Sequence, residues 1–252
     1  MPSVIFVPVE VPAPTPPPAV RRAAVPTRPA PVLVREPPVA ETATTAALTP
    51  ARPLPDRPVT ILGRRVSTAG LTRRQVDLLH SIARVPNRPT ERIRGTRFVR
   101  IGDRRYRDDC SNVLRIPYDR LGIDLFSEHH RFPDANGVRL IREKGQRVTA
   151  PQVGDLVIFD DTWDRNRNGE ADDPDTHAAI VVGFEPGGTV LLYNRVRSGH
   201  RLFRMNLRRP GDFVDRATGR RLNDALRRRR AGDPPDLPRT TGQLFARYLR
   251  VL

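Results

Sequence analysis

The sequence predicts an α+β domain in which a helix near the N-terminal side packs on an antiparallel sheet. Three observations predict it. Apolar residues recur at helical spacing early in the chain, alternating and continuous apolar runs of strand length follow, and both lie behind a proline-dense segment. That segment comes first: residues 1–60 hold 16 of the 27 prolines and almost no aromatics, a composition that forms polyproline and coil and buries no core. We therefore divide the chain into a disordered Pro-rich segment, 1–58, and one domain, 59–252, large enough for a core of its own.

Within the domain, Val76, Leu79, Ile82 and Ala83 mark a helix over Leu71–Val85. Asn87–Arg94 reads as a polar connector, and Phe98–Gly102 as a short strand. A second helix starts at Cys110, because Asp109 is a good N-cap and Val113, Leu114, Tyr118 and Leu121 share one face; Gly122 suits its end. Pro117 lies inside that pattern and should kink the helix or shorten it to about two turns. The stretch through His129, His130, Asn136 and Gly137 reads as a loop. Strands follow over Leu156–Phe159, Ala178–Phe184, Thr189–Val196 and His200–Leu207, with Glu185–Gly188 as a hairpin connection. Beyond Leu207 only an arginine-rich loop and a short apolar end, Leu244–Leu252, are readable.

The formal net charge is +16, and Lys144 is the only lysine among 44 basic residues. The arginines are spread along the chain and only 14 residues are aromatic, a pattern unlike the basic stripe with stacking rings of a nucleic-acid binder. Attraction to an anionic surface such as an envelope polymer suits the charge as well. No transmembrane segment is visible, and the apolar start Val4–Val9 is too short and interrupted for a signal-peptide core.

Cys110 is the only cysteine, so it has no disulfide partner within the chain. At a helix start, orphan N–H groups and the helix dipole favour the thiolate and are expected to lower its pKa. Free cysteines also commonly just fill buried space. His177 heads an apolar strand 67 residues later, where it is placed either as a base or as a loop-end surface histidine.

Together, Asp109-Cys110-Ser111, Gly154-Asp155-Leu156 and His177-Ala178-Ala179-Ile180 resemble, in this order, the motifs of the papain-like superfamily that includes the NlpC/P60 and CHAP peptidoglycan hydrolases. The resemblance covers residues 98–207. It implies a cysteine peptidase or amidase acting on peptidoglycan at the cell envelope or in secreted form, with Cys110 as nucleophile, His177 as base and Asn194 as the residue that orients it. Asn194 stands where the family more often has histidine, and Asn112 where it has a small residue. A catalytically silent, envelope-binding domain of the same fold is the alternative.

Between the motifs, Asp164 to Asp175 places oxygen side chains at Asp164, Asn166, Asn168, Asp172 and Asp175, with Gly169 at the turn and Glu170 offering its carbonyl. This resembles an EF-hand-type calcium loop of the dockerin kind. The same residues also make plain Asx turns. A structural calcium is expected here on the first reading; the chemistry requires no cofactor.

Overall fold

The computed structural model describes residues 55–230 and 233–252; the expected disordered segment 1–58 lies outside them except for its last four residues. The described chain is mixed α+β, with three α-helices and antiparallel sheets. Contacts begin before Val59: the Asp56 carboxylate accepts from Thr68 N–H at 2.8 Å, and Arg57 N–H donates to Thr68 Oγ1 at 2.9 Å.

A small hairpin comes first, β1 (Val59–Ile61) with β2 (Arg64–Val66). Helix α1 (Arg73–Ala83) is set by a reciprocal capping box in which Thr72 and Gln75 satisfy each other's backbone N–H groups. It buries Leu78, Leu79 and Ile82. The expected connector instead contributes β3 (Glu91–Ile93), which pairs with β4 (Thr96–Ile101), and β4 pairs with β5 (Arg104–Arg107). Only one face of this three-stranded sheet is apolar, through Val99 and Tyr106 packed on Val113 and Ile116 of the next helix. Its remaining positions are arginine-rich, which hid the strand pattern.

Helix α2 (Cys110–Asp119) ends two residues after Pro117, short of the expected Gly122. Proline lacks an N–H and crowds the preceding turn, so the helix stops within a turn of it. A 3₁₀ turn (Ser127–His130) and α3 (Gly137–Lys144) replace the expected loop. Asn136 caps α3 by accepting from Arg139 N–H at 2.9 Å, and Val138, Leu140 and Ile141 form its buried face.

The main sheet has six antiparallel strands in the order β10-β9-β8-β7-β11-β6: β6 is Gln146–Val148, β7 Leu156–Phe159, β8 His177–Glu185, β9 Thr189–Val196, β10 Gly199–Met205 and β11 Phe245–Arg250. The four strands expected from apolar runs are β7 to β10. The C-terminal end supplies β11, inserted between β7 and β6. Arg250 fastens it there by a two-pronged ion pair with the buried Asp155, at 3.0 and 2.8 Å. One sheet face packs Leu156, Ile158, Ile180 and Tyr193 against α1, α2 and α3. The other packs Val157, Phe159, Val181 and Leu192 under Leu226 and Leu244 of the C-terminal segment. Covering both faces explains why β7 and β8 read as continuous apolar runs. Tyr118 Oη donates to Gly154 O at 2.7 Å and ties α2 to the turn that feeds β7.

Candidate active site

Cys110 is placed by its cap. Asp109 has extended backbone (φ −130°, ψ 174°), and its carboxylate accepts from Ser111 N–H at 3.1 Å and Asn112 N–H at 2.8 Å. The same carboxylate takes the Ser111 hydroxyl and the Asn112 amide, so Asn112 reinforces the cap. Ser111 in turn packs against Gly137, the first residue of α3: a Cβ added there would sit 2.2 Å from Ser111 Oγ. A side chain at 137 would force Ser111 and Phe126 to shift, and the bare glycine brings α3 against the helix start that carries Cys110.

His177 opens β8 and is 7% exposed. Its Nε2 lies 3.4 Å from Asn194 Oδ1, a long hydrogen bond. Asn194 Nδ2 donates to Arg201 O at 3.2 Å across the β9–β10 ladder, which fixes the amide orientation. Oδ1 is then the only Asn194 group facing the ring, so His177 Nε2 carries the proton and donates it. Nδ1 of the neutral ring is left as the basic nitrogen.

The sulfur and the ring border the same cavity, and the backbone N–H groups of Ala178, the residue after His177, and of Cys110 and Ser111 act to lower the thiol pKa. These donors favour the thiolate, but desolvation and the Asp109 carboxylate outweigh them and push the thiol up to about 12. This corrects the expectation that the helix start lowers it. Burial likewise holds His177 down to about 4 against a smaller opposing effect of Asn194, so at neutral pH thiol and imidazole are both uncharged.

A buried ion pair braces the site from behind. Asp108 accepts from Arg195 Nε and Nη2, both at 2.5 Å, and Arg97 Nε stands 3.3 Å from the same carboxylate. Burial opposes ionisation of Asp108, yet these arginines hold its pKa below the usual value. Alongside, Tyr193 Oη lies 2.8 Å from His200 Nδ1, and His200 is 3% exposed with its pKa lowered to about 4 by burial. From the sequence His200 is placed only at the start of a strand. Asp108 joins the residue before the cap to β9, the strand that carries Asn194. The sequence offered one signal for it, two adjacent aspartates before the cysteine of which a helix needs only one as cap.

Two cavities flank Cys110 and share Asp109, Cys110, Trp163 and Thr176. The first, about 690 Å³, includes His177, Arg197 and the run 227–230 from the C-terminal segment. The second, about 880 Å³, runs past Ser111, Phe126, His129 and Leu140 toward α3. Trp163 at their junction is 47% exposed. His129 and His130 are exposed.

The acidic loop lies beside the second cavity. Asp164 Oδ2 accepts from Gly169 N–H at 3.1 Å, Asn166 Oδ1 from Asn168 N–H at 3.1 Å, and Asn168 Oδ1 from Glu170 N–H at 2.9 Å. Asp172 accepts the amides of Asn166 and Asn168 at 3.0 and 2.9 Å. Asp175 is turned out of this set: Arg142 Nη1 donates to it at 2.5 Å, and its N–H donates to Asp160 Oδ1 at 2.8 Å. Asp164 Oδ1 is buried without a partner among the described residues, but there no group of three or more acidic, histidine or cysteine side chains is arranged around a cation position.

No protein-family model, curated protein or solved structure matches this chain.

Proposed function

We propose that this chain is a papain-like cysteine hydrolase of the NlpC/P60 and CHAP kind, cleaving a peptide or amide bond in peptidoglycan at the cell envelope or outside the cell. One observation carries the reading. A cysteine at a capped helix start and a buried histidine, its ring oriented by an asparagine on the next strand, border one cavity.

Because thiol and imidazole are neutral at rest, attack and proton transfer are coupled. The Cys110 proton passes to His177 Nδ1 as the sulfur bonds to the carbonyl carbon. Asn194 Oδ1 accepts from Nε2–H and stabilises the imidazolium as it forms. In this reading the backbone N–H of Cys110, at the helix N-terminus, stabilises the charge that develops on the carbonyl oxygen. His177 then protonates the leaving amine, and water, deprotonated by the same nitrogen, releases the acyl group. Hydrolysis of purified peptidoglycan, followed by release of new amino groups, should vanish in Cys110→Ala while the variant keeps its circular dichroism spectrum. Undiminished hydrolysis by that variant removes the cysteine mechanism.

A silent envelope-binding domain is favoured by one observation, the high thiol and low imidazole pKa values, which leave no resting thiolate. The same experiment decides it: binding to peptidoglycan with no release of amino groups by the unmodified chain would establish the silent form.

A structural calcium belongs to the proposal with Asp164, Asn166, Asn168, Asp172 and the Glu170 carbonyl as ligands. Asp164 Oδ1, buried and unpaired, fits a cation; Asp175, held by Arg142, does not fit in this conformation. Calcium should raise Tm by an amount that grows with the logarithm of its concentration above the Kd, and calorimetry showing no binding up to millimolar calcium would leave the loop as a set of Asx turns.

A further inference from the structure

The two cavities beside Cys110 differ in charge balance. In the second cavity each arginine has a carboxylate: Arg115 pairs with Asp124 at 3.4 Å, Arg107 with Asp109 at 3.7 Å and Arg165 with Asp173 at 3.7 Å. Arg115 also lies over the Phe126 ring, 4.3 Å from its centroid. In the first cavity Arg97 and Arg195 are spent on Asp108, and Arg227 on the Asp161 carbonyl at 2.9 Å. Arg197, Arg228, Arg229 and Arg230 line the same wall, exposed, and no ion pair occupies any of them among the described residues.

This wall is built. Leu226 and Arg227 N–H groups both donate to Arg239 O, at 2.9 and 3.1 Å, and Arg227 is 6% exposed. Leu226 packs on the sheet, and Asp233 accepts from Arg230 N–H at 2.7 Å. The backbone is therefore held on either side of the three free guanidinium groups, and Arg197 joins them from the end of β9.

We propose that the arginine wall seats the acidic half of the substrate: a peptide carrying two or more carboxylates on one side of the scissile amide, bound by Arg197 and Arg228–Arg230, with its uncharged half in the second cavity. The proposal rests on the hydrolase reading of Cys110, which requires an amide carbonyl between the two cavities. A carboxylate peptide offers both the amide and the charges, and guanidinium groups pair with carboxylates in a planar, two-pronged geometry. Trp163 is the only tryptophan of the chain and stands where the two cavities meet, so its fluorescence reports occupation without turnover.

The test uses the full-length Cys110→Ala protein, hexa-glutamate and hexa-glutamine peptides, and a single-stranded oligothymidylate, each titrated against Trp163 fluorescence at several salt concentrations. We expect hexa-glutamate to bind at least tenfold tighter than hexa-glutamine, with the preference shrinking as salt rises. Replacing Arg228, Arg229 and Arg230 by Gln should weaken hexa-glutamate at least tenfold; replacing the exposed Arg65, Arg74 and Arg92, which removes the same charge elsewhere, should leave it within twofold. Arg197→Gln, on a different element, supplies an independent variant should the triple one misfold. Equal affinity for the two peptides, equal loss in both triple variants, or tighter binding of the oligothymidylate would overturn the proposal. Failure of the hydrolase reading looks different: the unmodified chain would keep the glutamate preference and release no amino groups from peptidoglycan.

Discussion

At Cys110 the local electrostatics oppose one another, and the balance decides how the thiol reacts. Three N–H groups favour the thiolate, while desolvation and the Asp109 cap disfavour it and win. The cap that starts the helix thus holds a negative charge beside the proposed nucleophile. With the thiol pushed up to about 12 and His177 held down to about 4, neither group titrates near neutrality. Alkylation by iodoacetamide should therefore rise roughly tenfold per pH unit from pH 6 to 9, following the thiolate fraction. A rate already flat above pH 5 would show a resting thiolate–imidazolium pair instead. Asn194 acts one step further out. Replacing His177 by Ala should cost roughly 100- to 10,000-fold in kcat, the range for a lost general base. Asn194→Ala should cost less, and mainly in kcat, because the base remains and only its orientation and tautomer loosen. Equal losses in both variants would mean that Asn194 holds the fold, through its bond to Arg201 O, more than it serves the ring.

At the scale of elements, α2 is positioned by what touches its first turn. Gly137 permits the start of α3 to lie against Ser111, and any Cβ there would collide with the Ser111 side chain and the Phe126 ring. Gly137→Ala should destabilise the domain by about 1–3 kcal/mol, the usual cost of overpacking. On the proposed mechanism it should also lower kcat beyond what the lost stability explains, since the strain falls on Ser111, beside Cys110. Activity unchanged at a lower Tm would separate the two. This contact lies between elements whose legibility in sequence differed. Helix α1, helix α2 and strands β7 to β10 were readable because their buried faces follow a helical repeat or an unbroken apolar run. Helix α3 was not: it is eight residues long, it begins at an Asn-Gly pair that equally signals a turn, and only three of its residues are buried. Strands β3 and β5 were masked by exposed arginines, and β11 by its distance from the strands it joins. Of the candidate site, Cys110 and His177 were picked out by local context, and they border one cavity. The role of Asp108 and the arginine wall depended on long-range contacts that no local pattern encodes.

For the whole molecule, the histidines buried on β8 and β10 couple the fold to pH. His177 and His200 are both held down to about 4, against about 6.5 for an exposed imidazole. Between those values the unfolded chain takes up protons that the folded chain refuses, so stability falls as pH drops from about 6.5 to about 4. Each histidine contributes a slope of up to about 1.4 kcal/mol per pH unit in that window. Asp108, whose pKa is lowered by Arg195 and Arg97 despite its burial, adds a further loss at more acidic pH as its carboxylate protonates. Asp161 and Asp175 act in the opposite sense, since burial raises their pKa and their protonation in acid favours the folded state. Urea unfolding at pH 7, 6 and 5 should thus show stability declining with acidity, and His200→Gln should reduce the slope by about half while leaving Cys110 and His177 in place. Stability independent of pH across that interval would mean that the two rings gain protons in the folded state, which requires water or an anion beside them. In that case the neutral resting pair on which the catalytic sequence is built would have to be replaced by an ion pair, and the alkylation profile of Cys110 should flatten in the same protein.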